Sequence, residues 1–240
     1  MEHTQPILIR IDDIGAFDPA KDCLIEQLCA AGLAVTCAVV PLWVEPAGRD
    51  FLRGVARRYP GKLEIHQHGY AHKNYSDGRY EYEFGPRRSL EQQLHDISEG
   101  RQLLERAFGD LFFPAFTPPY SSFDRNTLTA LKQAGFQAVS GLTADGDNPY
   151  LPNLCPDIDC FTWHPTRELA WEEVAAAWRA GQPRALRGLI LHPHLMRAES
   201  VQAYAQAMPR LLPAERCALF ADLVRCTAQS TSIGGIDSIE

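Results

Sequence analysis

The segment "LAVTCAVVP" (33–41) is β-branched and almost wholly apolar, without the apolar–polar alternation of a strand that keeps one face in water. Such a strand is covered on both faces, which points to a parallel sheet clad with helices. The flanking sequence agrees. "PILIRID" (6–12), "KLEIHQH" (62–68) and "RGLILHPH" (187–194) are further runs of strand length. Between the first three strands lie "DPAKDCLIEQLCAAG" (18–32), a helix ending at Gly32, and "GRDFLRGVARRYPG" (48–61), an amphipathic helix closed by Pro-Gly.

The alternation continues downstream. "SLEQQLHDISEGRQLLERAFG" (89–109) predicts a long helix with Ser89 as N-cap and Gln92 completing a capping box. "LFFPAFTPP" (111–119) is a strand running into a turn, and "DRNTLTALKQAGF" (124–136) a helix capped by Asp124. "AVSGL" (138–142) and "DIDCFTW" (157–163) are candidate strands, "RELAWEEVAAAWRAG" (167–181) a helix, and helical segments follow at 199–212 and 214–226. About seven strand–helix units in one series, with no linker between them, predict a single-domain α/β protein, a distorted (β/α)7 barrel over residues 1–228. Residues 229–240 read as a flexible tail.

With 45% hydrophobic and 22% charged residues, the 240-residue chain has an ordinary globular composition. A formal charge of −7 and the lack of any Lys/Arg-rich run exclude a general nucleic-acid binder. No apolar stretch approaches the roughly 20 residues that span a bilayer. The opening "MEHTQPILIRIDD" has neither a basic start nor a long apolar core, so the expectation is a cytoplasmic protein. Seven cysteines without a CxxC pair suit reduced, buried thiols. Oligomeric state is left open.

In parallel α/β folds the site lies at the carboxyl ends of the strands. Here those ends carry Asp12-Asp13, His68 with His72 beyond it, the turn Thr117-Pro118-Pro119-Tyr120, Asp157/Asp159/Trp163, and His192-Pro193-His194. "EIHQHGYAH" (64–72) alone holds three of the eight histidines. His68 and His72, spaced HxxxH, with one carboxylate form a two-nitrogen, one-oxygen set with positions left for water and substrate. That is a catalytic divalent site, most simply zinc, with cobalt, nickel or manganese as alternatives. On an extended strand Asp12 and Asp13 point to opposite faces; a turn at the strand end brings both to the rim. One then ligates the metal while the other takes a proton from water.

"RIDDIG", "HQHGYAH", "FTPPYSSFD", "DIDCFTW" and "GLILHPH", in this order and spacing, resemble the polysaccharide deacetylases, more narrowly a divergent bacterial branch. The resemblance covers residues 8 to about 195. It implies a distorted seven-stranded (β/α) barrel and removal of an N-acyl group, acetyl above all, from an amino-sugar derivative. Asp13, His68 and His72 are then metal ligands, and Asp12 is the general base. The backbone N–H of Tyr120 helps stabilise the oxyanion, and His192 is the general acid. His194 is the rival for the last role, since strand periodicity puts both histidines on one side. Pro119, Trp163, His194 and Tyr70 are expected to line the substrate site. Thr117 stands where the family has an arginine paired to the base, so Asp12 requires another cation, Arg10 or Arg125. Gly69 stands where the family has Ser or Thr. Asp157 and Asp159 are read either as carboxylates that orient a catalytic histidine or as turn formers. His66 lies outside the pattern and is read as a buried, paired residue. Two other functions use the same residues: a non-catalytic carbohydrate-binding protein on a degenerate barrel, and hydrolysis of another small C–N bond.

Overall fold

The described residues of the computed structural model are 5–78, 80–143, 151–181 and 186–233. Seven parallel strands form one sheet: β1 (Ile7–Ile14), β2 (Val35–Val39), β3 (Leu63–His68), β4 (Phe112–Thr117), β5 (Ala138–Val139), β6 (Ile158–Asp159) and β7 (Arg187–Leu191). Their order across the sheet is β5-β4-β3-β2-β1-β7-β6, so sequential strands pair from β1 to β5 and the chain then returns to the other side of β1. Among the described residues no ladder joins β5 to β6, and the sheet is a curled half-barrel, open between its edge strands.

The helices are α1 (Pro19–Ala30), α2 (Pro46–Arg58), α3 (Leu90–Phe108), α4 (Arg125–Gln133), α5 (Trp171–Ala180), α6 (Ala198–Leu211) and α7 (Phe220–Ile233). The starts of α1, α3 and α4 obey local chemistry. Asp18 accepts a bond from the Ala20 amide, and Asp124 accepts one from the Thr127 amide. Ser89 and Gln92 form the expected reciprocal box.

Alternate residues of each strand have opposite fates. Ile7, Ile9, Ile11, Val35, Cys37, Val39, Leu63, Ile65, Leu189 and Leu191 face the helices and join Leu24, Leu28, Leu52, Leu104 and Met208 in the main core. Each fully buried aliphatic side chain of this kind contributes about 1.5–3 kcal/mol. The other face of the first four strands carries Arg10, Asp12, Thr36, Glu64, His66, His68 and Thr117, all buried. These meet one another across the concave side: Arg10 reaches Ser140 beyond β5, and His66 joins Thr36 on β2 to Thr117 on β4. The interior is therefore polar above an apolar floor of Leu8, Ala115 and Ala138, and the strands are shielded from water on both faces.

Three elements depart from the sequence expectation. "DIDCFTW" is not one strand: Ile158–Asp159 joins the sheet, whereas Phe161–Trp163 pairs antiparallel with Thr166–Glu168. The break follows from Asp159, whose carboxylate accepts a bond from the Phe161 amide and turns the chain away. "AVSGL" likewise divides, since only Ala138–Val139 pairs with β4 and Leu142–Thr143 pairs with Ser122–Phe123. The expected helix at 214–226 is a single turn at Ala214–Arg216 followed by α7. Between them Cys217 bridges to Ile7, and the Ala218 amide donates to the Ile7 carbonyl, which holds the chain extended there. Helix α7 runs on to Ile233, through the start of the segment read as a tail; residues 234–240 lie outside the described residues.

The first turn of α7 closes the amino end of the barrel. Phe220 is fully buried and packs with Leu8, Ala115, Ala138 and Leu154. The Phe220 and Ala221 amides donate to the two Glu64 carboxylate oxygens at 3.0 and 3.1 Å. A negative side chain at a helix start is favourable, and here it comes from the barrel interior.

Candidate active site

At the opposite end the strands deliver their polar residues to one point. β1 does so through a bulge: Ile11 pairs with Cys37 and Ile14 with Val39, leaving one extra residue on β1. Asp13 absorbs it in the left-handed region, φ 64°, which Asp tolerates better than most residues. The bulge removes the alternation that would send the two aspartates to opposite faces.

Asp13 is the hub. Its Oδ1 lies 3.0 Å from His68 Nε2 and 2.9 Å from His72 Nε2. Its Oδ2 lies 3.1 Å from His192 Nδ1 and 3.7 Å from His194 Nδ1. Burial pushes the Asp13 carboxyl up, but bonds from His192, His68 and His72 outweigh it and hold the group well below the usual carboxylate range. One ligand atom each from Asp13, His68 and His72 falls within 4.8 Å of the others, a spacing that can hold a metal ion.

The donors suit a divalent cation. His68 Nδ1 lies 2.9 Å from the Thr117 carbonyl, which can only accept, so this nitrogen carries a proton. In the neutral ring Nε2 is then a lone pair aimed at a carboxylate oxygen. Two acceptors facing each other require a proton or a cation between them. Nitrogen and carboxylate donors are those that zinc and its neighbours accept.

Asp12 sits beside this cluster in a different bond. Arg10 Nε and Nη2 donate to its two oxygens at 2.8 and 2.7 Å, a bidentate buried pair. Arg10 Nη1 continues to the Ser140 carbonyl and hydroxyl. Burial raises the Asp12 carboxyl, yet Arg10 above all, with His68 and His192, brings it below its ordinary value. Of the two arginines within sequence reach, Arg10 is the partner.

His192 closes the far side. Its Nε2 lies 3.3 Å from Asp159, and the Trp163 indole N–H donates to the same carboxylate at 2.8 Å. The Trp163 ring meets the His192 ring edge-on at 5.1 Å while remaining 41% exposed. Burial lowers the His192 imidazole, but Asp13 and Asp159 more than reverse this, raising it to about 10. His194 is more open and is lowered by burial. Asp159 thus orients a histidine, whereas Asp157 accepts from the Gly188 amide between neighbouring strands.

Tyr120 follows the Pro118-Pro119 turn with φ 60°. Its ring lies 4.9 Å from that of His72, and its hydroxyl donates to the His72 carbonyl at 3.3 Å. Trp43 flanks His72 at 5.3 Å. Pro119 closes over Gly69, where an added Cβ would lie 2.5 Å from Pro119 Cγ. Tyr70 is not brought to the cluster: its ring packs against the core built around Phe84, Ile97 and Phe116. His66 is fully buried, with both ring nitrogens 2.8 Å from hydroxyls, those of Thr36 and Thr117. Burial holds it well below the ordinary histidine range, so it is neutral.

Sequence reasoning missed Trp43 and Glu83. Trp43 had no signal beyond its position after β2. Glu83 lies in a tyrosine-rich loop, and its one trace was the glycine at 69.

A curled parallel sheet with an acid–imidazole cluster at the carboxyl ends of its strands defines a (β/α)-barrel protein with a candidate metal site. The family model described as polysaccharide deacetylase matches residues 6–139, more than half of the chain, and the chain belongs to that family. No curated protein sequence matches it. Among solved structures it is similar to a family 4 carbohydrate esterase from Streptomyces lividans in complex with acetate, at 13% identity and TM-score 0.61, covering 90% of this chain and 92% of that one. A family 4 acetyl xylan esterase from Clostridium thermocellum in complex with a cobalt ion matches at 15% identity and TM-score 0.59, over 85% and 82%. A family 4 pseudoenzyme from Bacillus anthracis matches at 13% and 0.58, over 87% of this chain and 61% of that one.

Proposed function

We propose that this protein is a metal-dependent hydrolase that removes an N-acyl group, acetyl above all, from an amino-sugar derivative. The observation that carries the reading is the convergence of Asp13, His68 and His72, with a buried, arginine-paired Asp12 on one side and an aspartate-held His192 on the other. Family membership and the acetate and cobalt in similar structures support it.

Asp13, His68 Nε2 and His72 Nε2 would hold the ion, which supplies acidification of water and polarisation of the acyl carbonyl. Asp12, kept ionised by Arg10, accepts the proton of the attacking water. The Tyr120 amide, presented by the rigid proline turn, donates to the oxygen that gains charge. His192, protonated and steered by Asp159, gives its proton to the departing amine. Trp163, half open beside His192, offers an aromatic edge to the sugar.

Acetate release from N-acetylated amino sugars with added zinc or cobalt tests this directly. Asp12→Asn should lower the rate by about 10²–10⁴-fold while leaving metal content unchanged. His72→Ala should remove both metal and activity. Native rates in both variants would overturn the mechanism.

A non-catalytic carbohydrate-binding role on the same barrel is the second reading, favoured by Thr117 at the family's arginine position and by the pseudoenzyme among similar structures. Saccharide binding without acetate release, in metal-loaded protein, would establish it in place of the first.

A further inference from the structure

The chain from His68 to His72 is held in an unusual way. The Gly69 amide donates to the Thr117 carbonyl at 3.1 Å. The next three amides all donate to one side chain, Glu83: Ala71 to Oε1 at 2.7 Å, and Tyr70 and His72 to Oε2 at 3.1 and 3.3 Å. Four successive amides are thus satisfied. The His72 carbonyl is also bonded, by the Tyr120 hydroxyl. Glu83 is itself fully buried.

Gly69 makes room for this arrangement. With φ 57° it occupies the left-handed region, and a Cβ there would lie 2.0 Å from Glu83 Oε2. Any other residue at 69 would collide with the carboxylate. The returning arm of the loop is fixed in turn: the Tyr75 amide donates to the Tyr82 carbonyl, Asn74 Oδ1 accepts from the Tyr82 amide, and Arg88 packs over Tyr75 and Phe84. The 69–86 loop therefore folds back to place one carboxylate under the backbone that carries His72.

We propose that Glu83 is a positioning residue that presets His72 for a divalent cation through the three amides of residues 70–72. This rests on the metal reading above. A carboxylate bound to consecutive amides fixes their orientation, and His72 then reaches Asp13 without further ordering of its loop. Outer partners of this kind change metal affinity by about 10–100-fold when removed.

The test compares native protein with Glu83→Gln and Glu83→Ala. Zinc affinity is measured by chelator competition, and the visible spectrum of the cobalt-loaded form reports the ligand set. The expected result is a 10–100-fold weaker zinc affinity for Glu83→Ala, an intermediate loss for Glu83→Gln, and an altered cobalt spectrum in both. A purely structural role would lower the thermal midpoint of the metal-free protein and leave affinity and spectrum intact; folded variants that bind within twofold of native overturn the inference. Should the variants not fold, hydrogen exchange on the metal-free native chain decides. Amides 70–72 protected as well as those of β3 support preorganisation, and exchange at the rate of an open loop overturns it. Failure of the native chain to bind any divalent ion sinks the metal reading itself, whereas native binding with unaffected variants sinks only the part given to Glu83.

Discussion

His66 and His68 stand two residues apart on the same face of β3, and their surroundings differ completely. His66 has each nitrogen against a threonine hydroxyl, with Phe220 edge-on at 4.8 Å and no exposure. His68 has one nitrogen against a carbonyl and the other against Asp13, which it shares with His72. The first environment is closed and neutral. The second gathers charge around one point. Residue type and strand position do not separate the two; the remaining partners do. A ring whose hydrogen bonds are complete has a packing role, and a ring that meets a shared carboxylate is available for chemistry.

The sharpest way to break this contrast is substitution at both positions. His68→Ala should abolish zinc retention and acetate release. His66→Ala should keep zinc and cost about 1–3 kcal/mol of stability for the stranded Thr117 hydroxyl, the Thr36 hydroxyl retaining Glu64, read by denaturant unfolding. Loss of zinc in His66→Ala with retention in His68→Ala would reverse the assignment. Next in size is Arg10→Met. It leaves Asp12 buried without its cation and should destabilise the fold by about 3–5 kcal/mol, again measured with denaturant. An unchanged midpoint would mean that the Arg10–Asp12 pair does not hold the barrel interior together.

The amino end of the barrel allows a gentler test through pH. Burial pushes the Glu64 carboxyl up to about 7, and the Phe220 and Ala221 amides only partly offset it. An acid whose folded value exceeds its unfolded value binds more protons when folded. Stability from this group is therefore present at low pH and declines as pH rises from about 4.5 to 7. Glu64→Gln has no such decline, so its stability relative to native should rise by about 3 kcal/mol between pH 4.5 and 8. Thermal unfolding across that range checks it, and a flat difference would show that Glu64 does not titrate in this window.

Much of the fold could be read from hydrophobic patterning, because most outward strand residues are apolar and the starts of α1, α3 and α4 have their own capping chemistry. "LAVTCAVVP" called for cover on both faces and has it. The polar lining was less legible: Arg10 and Thr36 look like interruptions in apolar runs until Ser140, beyond β5, and His66, on β3, are seen to meet them. At the site, Asp12, Asp13, His68, His72, Asp159, Trp163 and His192 could be placed together because strand ends converge. Tyr70 could not be excluded from the site by pattern, since its direction depends on the left-handed turn at Gly69. The break in "DIDCFTW" was only half visible, and the late start of α7 was hidden. The first is an aspartate turn from Asp159 to the Phe161 amide, one of the two roles its residue type allowed, whereas the second is set by the bond from Ala218 to distant Ile7, of which local propensity carries no trace.

The seat of α7 has a consequence for how the molecule is made. Glu64 emerges from the ribosome well before the two amides that answer its carboxylate, which lie 156 and 157 residues further along the chain. A nascent chain would carry the inner side of its sheet with that acid lacking both amides and without the Phe220 plug until α7 is delivered. Closure of the barrel thereby waits for α7, and forms of the chain cut before residue 220 should leave Glu64 without its two amide partners and unfold more readily.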